Sequence, residues 1–201
     1  MDAYIDMYDA GVLTNLKKNI DPGKMVYAFA LGTQKLYDFI DDNHRCAIYP
    51  VNYTNKPGIA ALNDNLMTIN NAIEVDLYGQ VCSESSGTRI ISGTGGQLDF
   101  VLAGYESRGG KSFICLPSCY MGKDGKIKSR IVPTLTPGAI ITDPRSVADY
   151  IVSEYGKFEM KGMSVWQRAE GLISLAHPDL RDELVKAAEI QGIWRRTHKI
   201  F

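Results

Sequence analysis

A run of small residues in the middle of the chain, Gly93-Thr94-Gly95-Gly96, could present backbone N–H groups to an anion. Glycine lets a ligand approach the backbone closely. Residues 97–105 directly follow the run, beginning with Gln97, and have the apolar spacing of a helix. The run therefore lies at a predicted helix N-terminus, which favours negative charge. The run does not match the spacing of the common nucleotide-binding glycine motifs. Two interpretations therefore stay open, a tight structural turn and an anion or oxyanion site.

Two acidic residues, Glu74 and Asp76, could do acid–base chemistry as a pair. They alternate with apolar residues over 73–77, so a strand would place both carboxylates on one face. Paired carboxylates can accept and donate protons in a reaction. The alternative is the polar face of a strand end that points toward water or loops.

A third acidic residue, Glu154, follows a predicted strand at residues 150–153. In open α/β sheets, binding sites collect at the carboxyl ends of strands, which favours a functional role. The alternative is a loop carboxylate that caps a nearby amide.

The chain has three histidines and four cysteines, with neither a Cys-x-x-Cys spacing nor a histidine pair four residues apart. No zinc or other metal site is therefore predicted, and Cys46, Cys82 and Cys115 are expected to be buried free thiols. His177 precedes Pro178 and is expected to pack between two helices. His198 lies in a short basic tail, residues 194–199, which we expect to pack on another part of the protein or a second subunit.

The elements that would position these residues alternate along the chain. Strands are predicted at residues 25–31, 46–51, 66–69, 73–77, 80–82, 112–117, 131–132, 139–142 and 150–153, with a hairpin tip at 121–128. Helices are predicted at residues 2–10, 34–41 (capped by Thr33), 59–62, 97–105, 165–176 and 180–191. The alternation predicts an α/β fold, with a single open, mostly parallel or mixed sheet, helices on both faces and a helical C-terminal segment.

Composition narrows the class of protein. The chain has 201 residues, of which 45% are hydrophobic and 22% charged, which suits one globular domain. The formal net charge of -1 provides no basic field, so neither nucleic acid nor an anionic membrane is an expected partner. No run approaches 18 apolar residues and no secretory signal is visible, so a cytoplasmic location is expected.

Four blocks of the sequence, taken in order, resemble the C-terminal half of the acetyl-CoA hydrolase/transferase family, a branch of the class I CoA-transferases. The likeness is greatest to the 4-hydroxybutyrate and butyrate:acetate CoA-transferases. The blocks are Asn71-Ala72-Ile73-Glu74-Val75-Asp76-Leu77-Tyr78-Gly79-Gln80-Val81, Ile91-Ser92-Gly93-Thr94-Gly95-Gly96-Gln97-Leu98-Asp99-Phe100, Tyr150-Ile151-Val152-Ser153-Glu154-Tyr155-Gly156 and Ala176-His177-Pro178. The resemblance implies a CoA-transferase-like C-terminal domain over residues 1–201. It also implies acyl-CoA and short-chain carboxylates as partners, with coenzyme A a substrate and no bound cofactor.

The resemblance further implies a ping-pong reaction through a glutamyl-CoA thioester. A catalytic glutamate attacks the acyl-CoA carbonyl, and the released CoA thiolate captures the glutamyl group of the resulting anhydride. An incoming carboxylate then reverses the sequence. Each tetrahedral intermediate carries an oxyanion that needs N–H donors.

The family's G-x-G-G-x-x-D-F block supplies one such donor and matches residues 93–100. The resemblance therefore implies Gly95, followed by Gly93, as the oxyanion donor, and residues 93–97 as the segment that binds CoA. It implies auxiliary catalytic positions at Asn55, in an Asn-x-Pro block, and at Glu154, in the Glu-Tyr-Gly block.

In the family, the nucleophilic glutamate belongs to a His-x-Glu-Met-like block that comes before a helix, and residues 2–10 resemble that helix. The present sequence contains no such block. We therefore expect the chain to be a C-terminal domain that lacks its N-terminal domain and is inactive alone. Two alternatives stay open, a natural subunit of a split CoA-transferase with an apolar seam and a non-catalytic CoA-binding module. Each is compatible with a homo-oligomer.

Overall fold

Strands and helices alternate along residues 2–194, the part of the chain that the computed structural model describes. The helices are α1 (Ala3–Asp9), α2 (Gln34–Ile40), α3 (Val51–Thr54), α4 (Pro57–Ala60), α5 (Gln97–Glu106), α6 (Val165–Leu175) and α7 (Pro178–Ile190). The strands are β1 (Met25–Tyr27), β2 (Cys46–Ile48), β3 (Met67–Asn71), β4 (Glu74–Asp76), β5 (Val81–Cys82), β6 (Ser85–Ser86), β7 (Arg89–Ile90), β8 (Lys111–Cys115), β9 (Cys119–Met121), β10 (Ile127–Ser129), β11 (Ile131–Val132), β12 (Tyr150–Ser153) and β13 (Gly156–Glu159). None of the helices in this part of the chain is long and apolar enough to span a bilayer.

The predicted α/β class is confirmed, but the described strands form five small sheets instead of one continuous sheet. The largest has the order β13-β12-β8-β3, in which β3, β8 and β12 are parallel and β13 is antiparallel. The chain leaves this sheet at residues 72–73, where the Ala72 N–H donates to Cys115 O of β8 and the Ile73 N–H donates to Cys82 O of β5. Strand β4 therefore pairs with β11 and β5 in a second sheet.

The remaining described strands form short pairs outside the two larger sheets. Strands β1 and β2 form a parallel pair, and β9 and β10 form the predicted hairpin. The strand expected at residues 139–142 is irregular, because the Ile140 N–H donates to Ser85 Oγ while only an isolated bridge joins Val81 and Asp143. Thr33 precedes α2 as expected, but its hydroxyl donates to Asp2 instead of capping the helix.

The core lies where the two larger sheets meet α5, α6 and α7. It is built from aliphatic side chains that are fully buried: Val75, Leu77, Val81, Val101, Ile114, Ile131, Ile151, Met160 and Leu172. Each such burial contributes about 1.5–3 kcal/mol. Helix α6 begins at a capping box between Ser164 and Gln167, and it packs against β13, where Gly171 lies against the ring of Phe158.

Helix α5 has a defined direction across the parallel strands. A Cβ atom on Gly104, near the end of α5, would lie 2.9 Å from Thr68 Oγ1 and 3.0 Å from Lys111 O. Those two residues stand near the beginnings of β3 and β8, so the last turns of α5 cover the amino ends of the strands. The N-terminus of α5 therefore lies toward the carboxyl ends, where sites collect in α/β sheets.

Candidate active site

The glycine segment, residues 93–96, leads into α5 with its backbone open on one side. Gly93 and Gly95 are exposed, and a Cβ atom on either would have no neighbouring heavy atom within 4 Å. Within residues 2–194, the backbone N–H groups of the segment donate to no backbone acceptor. Gly96 is the N-cap residue of α5 and makes no side-chain cap. Free N–H groups at the start of a ten-residue helix form an anion-binding arrangement.

Asn55 lies against this segment. The side-chain amide of Asn55 occupies the space that a Cβ atom on Gly96 would need. Asn55 follows α3, and its Oδ1 atom accepts a hydrogen bond of 2.8 Å from Thr54 Oγ1. The structure therefore brings together two sets of residues that are 38 positions or more apart in the sequence, although their catalytic role stays a prediction.

Gln97, the first residue of α5, is tied to the protein by its side chain. Its Nε2 atom donates to Ser83 Oγ and to Asp143 Oδ2, both at 2.7 Å. Asp143 is fully buried. Burial raises the pKa of Asp143 and the charge of Glu84 adds to the rise, while the hydrogen bond from Gln97 lowers it. The Gln97 amide nitrogen thus fixes the start of α5.

Glu84 contacts the other side of the glycine segment. Its carboxylate accepts hydrogen bonds from Thr94 Oγ1 at 3.4 Å and from Thr142 Oγ1 at 3.0 Å. Its backbone carbonyl accepts from the N–H groups of Ile91 and Ser92, at 2.8 and 3.2 Å. The sequence prediction missed both Glu84 and Asp143. Only the polar run at residues 83–86, directly after a buried strand, could have indicated Glu84.

Glu154 directly follows β12, at the carboxyl end of the parallel strands β3, β8 and β12. Its carboxylate accepts from the Ser118 N–H at 2.9 Å and from Ser118 Oγ at 2.6 Å. Glu154 is exposed; loss of some solvent around its carboxylate would raise its pKa, but the hydrogen bonds from Ser118 and from its own backbone, with the charge of His177, hold that pKa below its usual value. Among the described residues, these hydrogen bonds join Glu154 to Ser118 and not to the glycine segment.

The pair Glu74 and Asp76 serves the fold. Both are buried, and each carboxylate accepts hydrogen bonds from residues outside β4. Glu74 accepts from the N–H and the hydroxyl of Thr136, each at 2.8 Å. Asp76 accepts from Tyr78 and Gln80, and burial raises its pKa despite these bonds. The polar face of this strand therefore points toward loops and not toward water, the two surroundings that the sequence left open, and its contacts are those of structural carboxylates.

The remaining candidates have structural surroundings. His177 is the N-cap of α7, accepts from the Asp179 N–H at 3.3 Å and packs edge-on against Tyr155, between α6 and α7. His198 and most of the basic tail lie outside the described residues. The four cysteines are free, but of the three expected to be buried only Cys82 is, while Cys46 and Cys115 are partly exposed. In residues 2–194 no group of three or more His, Cys, Asp or Glu side chains could hold a metal ion.

The chain is similar along nearly its whole length to known CoA-transferases. It is 56% identical over 199 residues to butyryl-CoA:acetate CoA-transferase of Anaerostipes caccae, covering 99% of this chain and 45% of that protein. It is 47% identical over 184 residues to 4-hydroxybutyrate coenzyme A transferase of Clostridium kluyveri, covering 92% of this chain and 42% of that protein. The chain thus spans less than half the length of these relatives.

Solved structures show the same fold. The crystal structure of RipA from Yersinia pestis is 41% identical, with a TM-score of 0.86 over 94% of this chain and 42% of that chain. The 4-hydroxybutyrate CoA-transferase of Porphyromonas gingivalis is 35% identical, with a TM-score of 0.78 over 96% of this chain and 43% of that chain. The family model of the acetyl-CoA hydrolase/transferase C-terminal domain matches residues 32–188. The glycine segment, Asn55 and Glu154 all lie within that match, and the chain belongs to the acetyl-CoA hydrolase/transferase family.

Proposed function

We propose that this chain is the C-terminal domain of a CoA-transferase that moves CoA between short-chain carboxylates such as acetate, butyrate or 4-hydroxybutyrate. The observation that carries the proposal is the open glycine segment at the N-terminus of α5, with unobstructed space at Gly93 and Gly95. The names of the relatives support the class of substrate.

In the proposed reaction, a glutamate from outside residues 1–201 attacks the thioester carbonyl of the acyl-CoA. The carbon–sulfur bond breaks, which leaves an acyl–glutamyl anhydride and the CoA thiolate. The thiolate attacks the glutamyl carbonyl and releases the first carboxylate, so that glutamyl-CoA remains. A second carboxylate attacks glutamyl-CoA to form a new anhydride, and the thiolate then attacks its acyl carbonyl, which yields the new acyl-CoA and the free glutamate.

Each of these attacks forms an oxyanion, which fixed N–H donors stabilise strongly in a site that excludes water. Gly95 is the proposed principal donor and Gly93 the second, because the backbone of both is open to a ligand. The Asn55 amide, beside Gly96, is the proposed auxiliary donor. Glu154 keeps its proposed auxiliary position as an ionised carboxylate near the same sheet edge.

The rest of the site is proposed to come from a second domain, which covers an apolar surface. Phe29 and Leu31 follow β1, Ile48 and Val51 stand at the end of β2 and just beyond it, and all four side chains are exposed. Parallel strands are normally covered on both faces, and contiguous exposed apolar residues mark interfaces. Relatives more than twice as long as the chain contain enough additional polypeptide to form such a domain.

The test measures exchange between acyl-CoA and labelled acetate. One sample is the chain alone. The other is a chimera in which the part of the Anaerostipes caccae relative that does not align with this chain is fused in front of it. We expect exchange by the chimera only. A folded chimera without exchange would overturn the proposed function, and exchange by the chain alone would show that the nucleophile lies within residues 1–201.

Variants of the glycine segment then test the donor assignment in the chimera. Gly95→Ala and Gly93→Ala each add a methyl group where the protein leaves open space, so we expect unchanged stability. The methyl group should keep the oxyanion from reaching the backbone N–H group. Exchange should therefore fall by about 10²–10³-fold, the cost of losing one oxyanion donor. Gly58→Ala is the matched control, because its Cβ atom also meets no atom within 4 Å. Equal activity of Gly95→Ala and Gly58→Ala would contradict the assignment.

A further inference from the structure

The residues around the glycine segment alternate between anchored and free. Ile91 and Ser92 donate their N–H groups to the Glu84 carbonyl, and the Thr94 hydroxyl donates to the Glu84 carboxylate. The Gln97 amide donates to Asp143. Gly93 and Gly95 lie between these anchors, and a Cβ atom on either would have no neighbouring heavy atom within 4 Å.

We infer that Glu84 and Asp143 are positioning residues that hold the glycine segment in the shape its N–H groups need to bind an oxyanion. This inference rests on the proposed function. It assigns to Glu84 the fixing of Thr94 and to Asp143 the fixing of Gln97, on either side of Gly95. Neither acid is proposed to touch the substrate.

Carboxylates suit this task because one carboxylate can accept several hydrogen bonds. The Glu84 carboxylate uses one oxygen for Thr94, in the glycine segment, and the other for Thr142, which precedes Asp143. Thr142 in turn accepts from the Ser83 N–H at 2.9 Å. The anchors therefore form one connected network that joins the segment to residues 142–143.

The burial of these acids is difficult to explain by stability alone. Glu84 is 7% exposed, Asp143 is fully buried, and Asp143 Oδ1 has no partner among the described residues. A buried acceptor without a partner destabilises the fold. Apolar residues of similar size would avoid that cost but could not accept the bonds from Thr94 and Gln97. We therefore assign to the two acids the role of fixing the geometry of the glycine segment.

The kinetic test uses the chimera and a double-mutant cycle. Glu84→Ala should lower kcat for exchange by about tenfold or more, with little change in KM for acyl-CoA, since the oxyanion forms only after binding. Glu84→Gln keeps an acceptor and should restore most of the activity. Because Glu84 acts through Thr94, Thr94→Val should add little in the Glu84→Ala background. Full additivity of the two variants, or a Glu84→Ala enzyme with the parent kcat, would overturn the inference.

Asp143 is tested in the same way, and a destabilised control separates geometry from folding. Asp143→Ala should lower kcat, whereas Asp143→Asn keeps an acceptor for Gln97. Leu184→Ala removes a buried side chain of α7, whose neighbours are core residues, and should lower Tm while kcat per folded enzyme stays unchanged. If Leu184→Ala and Asp143→Ala lose kcat equally at equal Tm, the positioning role is wrong.

A measurement on the chain alone separates this inference from the proposed function. Backbone ¹⁵N relaxation should give order parameters near 0.85 for Gly93 and Gly95 in the parent and below about 0.6 in Glu84→Ala. Unchanged order parameters would overturn the anchoring role even in an active chimera. Changed values with an inactive parent chimera would leave anchoring intact and overturn the proposed function, and with it the role of the anchors in catalysis.

Discussion

Replacement of Gly104 by alanine should destabilise the chain, although alanine is the better helix former. Gly104 lies in the interior of α5, where alanine is favoured by about 1 kcal/mol. Its Cβ atom, however, would lie 3.0 Å from the Lys111 carbonyl oxygen and 2.9 Å from the hydroxyl of buried Thr68. Relief of that contact requires α5 to move away from β3 and β8, and overpacking of this kind costs about 1–3 kcal/mol.

Subtraction of the helix gain from the middle of that range leaves a net loss of about 1 kcal/mol, which lowers Tm by about 2–4 °C in a chain of this size. Gly58→Ala, in open space in α4, should instead stabilise by about 0.4–1 kcal/mol. Thermal and urea unfolding, followed by circular dichroism, measure both variants. A Gly104→Ala chain as stable as Gly58→Ala would refute the placement of α5 against the parallel strands.

Two further predictions concern the site. Gly96→Ala should displace the Asn55 amide and lower exchange by the chimera. The effect on Tm should be small, because the atom that the new methyl group meets is the end of the Asn55 side chain. If the effects of Asn55→Ala and Gly96→Ala on exchange were additive, this contact would not be the cause. Ser118→Ala should raise the pKa of Glu154 toward its ordinary value of 4.5, as measured by NMR titration. Because folding lowers that pKa, Glu154 adds stability above 4.5 that is lost as pH falls through the folded-state pKa. Ser118→Ala should weaken this acid-side loss, and an unshifted Glu154 titration would contradict the assignment.

The elements that carry the glycine segment could be predicted from sequence because their signals are local. The apolar spacing of residues 97–105 predicts α5, and the apolar runs around it predict β3 and β8. A helix that connects two parallel strands must return its N-terminus to their carboxyl ends. The placement of the glycine segment follows from this connection alone.

The errors arise where distant residues decide. Alternation at residues 73–77 places both carboxylates on one face, but whether water or a loop covers that face depends on Thr136, 62 positions after Glu74. Residues 139–142 have the composition of a strand, but their N–H groups bond to Ser85 and Val81. Asp143 gains its role from Gln97, 46 positions earlier, and no local pattern indicates that contact.

The anchors of the glycine segment differ greatly in sequence distance, which has a consequence for the order of folding. Thr94 is 10 residues from Glu84, whereas Thr142 is 58 residues from it. Closing the longer loop costs more chain entropy, and β11, which pairs with β4, lies within that loop. We therefore expect the segment to gain its local shape early in folding and its final orientation late. An intermediate with β3, α5 and β8 in place would have most of the native architecture and no competent oxyanion site.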